Sequence, residues 1–81
     1  MSPPYGIVLF HTTSAAMQAE RAVRDAGLEQ RLIPTPREFS SDCGIALRFD
    51  WNDAAPVATA LEAAQVEVAG IHCVSRLTPR K

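Results

Sequence analysis

No apolar run in the chain approaches the roughly 18 residues that a membrane-spanning helix needs. The segment Met1-Ser-Pro-Pro-Tyr5 also lacks the basic n-region of a signal peptide, so a cytoplasmic location without membrane attachment is expected. Cysteine is scarce: Cys43 and Cys73 are the only two, and neither sits in a C-x-x-C pair. That is too few for a disulfide scaffold, and in a reducing compartment both are expected as thiols. Two cysteines and two histidines at these spacings give no zinc pattern, and no glycine-rich phosphate loop occurs. The expectation is therefore no metal and no cofactor. Basic excess is also missing, the net charge being −1. Tyr5, Phe39 and Trp51 are too dispersed to form a stacking surface, so nucleic acid is not expected as a partner.

What is present suits one α+β domain over residues 1–81, with an ordered core of about 5–75 and a loose tail at 76–81. Tyr5 to His11 is a near-continuous apolar run and reads as a central buried strand. Thr13 or Ser14 can cap the following helix, in which Ala15, Ala19, Ala22, Val23 and Ala26 recur at helical spacing before Gly27 stops it. Gln30 to Ile33 reads as a second strand, closed by Pro34 and Pro36. Ile45, Leu47 and Phe49 alternate with smaller or charged residues in a third strand. Asn52 or Asp53 starts a second helix with Pro56 in its first turn and an apolar stripe of Val57, Ala60, Leu61 and Ala64. Val66 to Val74 supply the last strand.

The order β-α-β-β-α-β is the split βαβ, or ferredoxin-like, pattern. It predicts a four-stranded antiparallel sheet of order 4-1-3-2 with both helices on one face. Taking strands 1 and 3 to run the same way gathers Cys43, Pro36, Tyr5 and Cys73 at one edge of the sheet. His11 then falls at the opposite edge, about 20 Å away at ~3.3 Å per residue, too far for a dyad with Cys43. On the same placement His72 is the better base for Cys43. Cys73 lies nearly 10 Å off, beyond the ~7 Å reach of a disulfide. The uncovered sheet face needs cover, and a homodimer is one expected way to supply it.

Chemistry concentrates at Cys43. It stands where a polar loop enters a strand, and Gly44 beside it leaves room for another molecule to approach the sulfur. Arg37 and Arg48 are near in sequence and favour a thiolate, whereas Asp42 opposes it. About eight residues separate Thr35 from Gly44, where a hairpin needs roughly two to five. Ser40 and Ser41 offer hydroxyls and turn amides to an anion, or simply bond their own backbone. His11 precedes Thr12-Thr-Ser14 at a helix start, which suits either anion binding or plain capping. Cys43 itself shares parity with Ile45, Leu47 and Phe49, as a buried core cysteine would. The residues alone leave both readings open.

Five stretches carry a resemblance: Val8-Leu-Phe-His-Thr-Thr-Ser14, the helix with Ala19-Glu20 ending at Gly27, Arg31-Leu-Ile-Pro-Thr-Pro-Arg37, Ser41-Asp-Cys-Gly-Ile-Ala-Leu-Arg48 and Val66-Glu-Val-Ala-Gly70. Together they resemble the small bacterial selenium/sulfur carrier protein-like family over about residues 5–74. The resemblance implies that Cys43 holds sulfur or selenium as a persulfide or selenopersulfide. Arg37, Ser40, Ser41, Gly44 and Arg48 would support it, and Pro34, Pro36, His72, Cys73 and His11 would play lesser parts. It implies a donor such as a cysteine desulfurase and an acceptor protein. Such a carrier need not be a true enzyme, because its modified form is the cargo. The other function weighed is a ligand-binding or protein-interaction module without thiol chemistry.

Overall fold

The computed structural model describes residues 4–39 and 43–74. Ser40, Ser41 and the expected loose tail at 76–81 lie outside the described residues. Along the chain come strand β1 (Tyr5–Leu9), helix α1 (Thr13–Asp25), strands β2 (Gln30–Pro34) and β3 (Ile45–Asp50), a 3-10 turn (Trp51–Asp53), helix α2 (Ala54–Ala63) and strand β4 (Gly70–Val74). The strands form one sheet in the order β2-β3-β1-β4, which counted from the β4 edge reads 4-1-3-2. Every pairing is antiparallel.

That antiparallel pairing corrects the expected strand directions. β1 opposes β3, with Leu9 against Ala46 and Tyr5 against Asp50. The reason is geometric. The β2–β3 hairpin reverses the chain, whereas the helical crossover through α1 returns it in the sense of β1. The start of β3 therefore meets the end of β1, the end of β2 and the start of β4. Cys43 and His11 share one end of the sheet, and Tyr5 and Cys73 belong to the other.

Both helices end in the same way. Gly27 at φ 80° follows α1, with its N–H donating to the Arg24 carbonyl and the Leu28 N–H donating to that of Val23. Gln65 at φ 58° repeats the arrangement after α2, through Glu62 and Leu61. This is a Schellman closure, which satisfies the last carbonyls of each helix and turns the chain back to the core. At its start α1 is capped by Thr12 rather than Thr13 or Ser14, the Thr12 hydroxyl accepting from the Ala15 N–H at 3.1 Å. The 3-10 turn before α2 is held by Asp50, whose carboxylate accepts from the Asn52 N–H. Val66 and Val68 pack on the core from the loop before β4, which is why that strand is shorter than its apolar run.

The sheet has two unequal faces. Val8, Phe10, Leu47 and Phe49 point to the helices and join Ala15, Ala16, Ala19, Val23, Val57 and Leu61 in the main core. The alanines let α1 lie close to the sheet. Gly6 serves the same packing, since the Phe49 ring occupies the place a side chain would need there. On the other face Ile7, Leu9 and Ala46 form a smaller cluster edged by Tyr5, Ile33 and Val74.

Candidate functional site

The hairpin loop after β2 joins those two faces. Thr35 closes it, donating from its N–H to the Gly44 carbonyl and from its hydroxyl to the Cys43 carbonyl, each at 3.0 Å. Pro36 to Phe39 then make a tight turn, in which the Phe39 N–H donates to the Pro36 carbonyl at 3.0 Å. The Phe39 ring lands on the face away from the helices. It packs on the Ile7, Leu9 and Ala46 cluster and stacks on His72, with ring centroids 4.8 Å apart. Ile7 is 0 % exposed and Leu9 5 % within a single chain. Phe39, with Tyr5, Ile33 and Val74, thus covers part of the face whose exposure is the ground for expecting a homodimer.

At its far end the same loop delivers Cys43 to the helix side. The residue is 3 % exposed and belongs to the main core cluster. Its Sγ lies 3.8 Å from the Thr13 hydroxyl, in the first turn of α1. Within that turn Ala15 is served by the Thr12 hydroxyl and the Ala16 N–H by the Thr12 carbonyl. The amides of Thr13 and Ser14 have no acceptor within the helix, as at any helix start. Cys43 therefore stands beside the positive end of the helix dipole, where negative charge is favoured. Gly44 is exposed, and nothing lies within 4 Å of where its Cβ would stand.

The residues tied to Cys43 by sequence divide accordingly. His11 is exposed at the same end of the sheet, so the distance argument against it does not hold. Arg37 is exposed in the turn of the loop, Pro34 ends β2 opposite Ile45, and Pro36 is half-buried. Arg48 is elsewhere. Five residues beyond Cys43, it is roughly 16 Å along the strand at ~3.3 Å per residue. It also has the opposite parity, and its guanidinium lies 4.2 Å from the centre of the Tyr5 ring. His72 is held by Phe39 on the loop-covered face, with the sheet between it and Cys43. Cys73 is exposed and pairs with Gly6, roughly 20 Å along the strands from Cys43, so the two free thiols are too far apart to bridge.

Two residues that matter were not singled out for the site. Thr13 reads in the sequence as part of a Thr12-Thr-Ser14 run that suits capping or anion binding, and the strand directions are the signal that brings it to Cys43. Phe39 reads in the sequence only as a dispersed aromatic.

Similarity to known proteins fits this geometry. No curated protein and no solved structure matches the chain. A family model does match, over residues 5–73, which span both helices, nearly the whole sheet, the loop and Cys43. The chain belongs to the family described as "Putative Se/S carrier protein-like".

Proposed function

We propose that the protein carries sulfur or selenium on Cys43 and passes it from a donor protein to an acceptor protein. The observation that carries this reading is the place of Cys43 in a chain of this family, on a loop end beside Thr13 and the first turn of α1. In the loading step the Cys43 thiolate attacks the outer sulfur of a donor persulfide. A new S–S bond forms on Cys43, the donor's S–S bond breaks, and the donor leaves as a thiolate. Unloading is the same exchange with an acceptor thiolate attacking and Cys43 leaving, so no external oxidant or reductant is consumed. The outer sulfur of the loaded form is anionic. The α1 dipole, the Thr13 hydroxyl and the Arg37 guanidinium on the same loop are the groups to stabilise it. Ser40 and Ser41 are assigned a supporting role on sequence grounds alone. The open space at Gly44 is the approach path.

Exchange of this kind needs a reduced thiol, in keeping with a cytoplasmic setting. The ferredoxin-like reading of the fold suits a small single-domain carrier with separate donor and acceptor proteins. Because the thiol is 3 % exposed, transfer requires local opening of the loop end.

Incubation with a cysteine desulfurase and cysteine, followed by mass spectrometry, tests the proposal. One added sulfur on the Cys43 peptide is expected. No added sulfur, or equal labelling of Cys43→Ser, would refute it.

The burial of Cys43 favours a second reading, an interaction module in which this cysteine is only a core residue. That reading expects Cys43→Ala to keep every cellular activity of the protein.

A further inference from the structure

Charge on the sheet face away from the helices is sorted into two rows at the Tyr5 end. Arg31 and Arg48 are direct partners across β2 and β3, both exposed on that face. Glu29 and Asp50 form the next row out. Glu29 precedes Gln30, the partner of Phe49, so it continues the register opposite Asp50, and both acids are exposed. The two-residue period of a strand puts them on the face of the arginines. All four residues line one open depression of about 590 Å³. Like charges directly opposite one another cost stability, and here both rows carry that cost. Diagonal neighbours of opposite sign lie within reach of long side chains. Among the described residues, however, none of the four makes an ion pair. Arg48 lies over the Tyr5 ring, and one Asp50 carboxylate oxygen accepts from the Asn52 N–H.

We propose that this end of the face is the contact between two copies of the chain. A pair of acids beside a pair of arginines is self-complementary. A twofold axis lying between two facing sheets, midway between the rows, sets Arg31 of each copy against Glu29 of the other and Arg48 against Asp50. Sheets packed face to face stand about 10 Å apart, a gap that an arginine and a carboxylate side chain span together. Each guanidinium then meets the carboxylate that it does not pair with inside its own chain. A simple anion would meet the acids as well as the arginines, whereas a second copy offers the matching alternation. A net charge of −1 leaves little repulsion between copies. Phe39 lies further along the face, over Leu9 and Ala46, and the Cys43 end of each copy stays clear. Confined to one end of a small sheet, the contact falls below the roughly 800 Å² per partner of a standard interface, so the dimer is weak.

Sedimentation equilibrium of the reduced full chain, from micromolar to millimolar concentration, tests the contact. The parent should pass from monomer toward dimer, and less so as salt is raised. Arg31→Glu makes its strand's charges wholly acidic and Glu29→Arg makes them wholly basic, so each alone should weaken self-association about tenfold. An equimolar mixture of the two variants should restore association, because an acidic strand end then faces a basic one. Within the chain Arg31→Glu also replaces a like pair with an opposite pair against Arg48, so its folding stability should hold or rise. A parent that stays monomeric at millimolar concentration in low salt, undiminished dimer in both single variants, or a mixture that stays monomeric would overturn the proposal. So would shifts of the Arg31 and Arg48 amides on adding inorganic phosphate to a parent that stays monomeric, which would assign the arginines to an anion.

Discussion

The two faces of the sheet are covered by different means. Two helices close one face over a core that includes Phe10, Leu47, Phe49 and Val57. On the other, Phe39 from the hairpin loop packs over Ile7, Leu9 and Ala46 together with Tyr5, Ile33 and Val74 from the strands. Burial of large apolar side chains stabilises by about 1.5–3 kcal/mol each, so most of the stability of this small domain resides on the helix face. The other face holds the smaller apolar cluster, so local opening there is expected to cost less. Cys43 stands at the junction, with its side chain in the helix-face core and its backbone in the loop that covers the other face. A thiol so placed is shielded at rest, and the carrier reading requires that the loop end open locally to release it.

Substitutions on the two faces should separate these roles. Leu47→Ala, in the helix-face core, is expected to lower stability by about 3–5 kcal/mol in chemical denaturation, enough to leave much of the chain unfolded. Phe39→Ala removes a half-buried ring and should cost about 1–2 kcal/mol, less than a fully buried phenylalanine. With Cys73 replaced by Ser, the same change should speed alkylation of Cys43. Equal losses of stability at Leu47 and Phe39 would break the comparison. Two glycines sharpen it further. Gly6→Ala drives a side chain into the Phe49 ring and should cost about 1–3 kcal/mol, whereas Gly44→Ala enters open space and should stay within about 0.5 kcal/mol.

Much of the fold is legible in the residues because its signals are periodic. Alternation at Ile45, Leu47 and Phe49, helical spacing from Ala15 to Val23, and the stop at Gly27 each mark an element locally. The shared parity of Cys43 with Ile45, Leu47 and Phe49 also signals its burial. Strand direction is not a local property. It follows from how hairpins and crossovers reverse or preserve the chain, and only with β1 antiparallel to β3 do His11 and the Thr12-Thr13 turn come to the Cys43 end of the sheet. Phe39 is an isolated aromatic in a polar stretch, so no periodicity reports that it covers a sheet face. The opposition of Arg31 and Arg48 depends on the β2–β3 register, which appears only once the strands are paired.

The most direct test of a shielded but releasable thiol is the native-state alkylation rate of Cys43 in Cys73→Ser, followed across low denaturant concentrations. A rate nearly independent of denaturant, and faster than global unfolding allows, is predicted, because only the loop end must open. A rate that rises with denaturant in step with global unfolding would show that Cys43 is released only when the helix-face core comes apart, which would contradict the account.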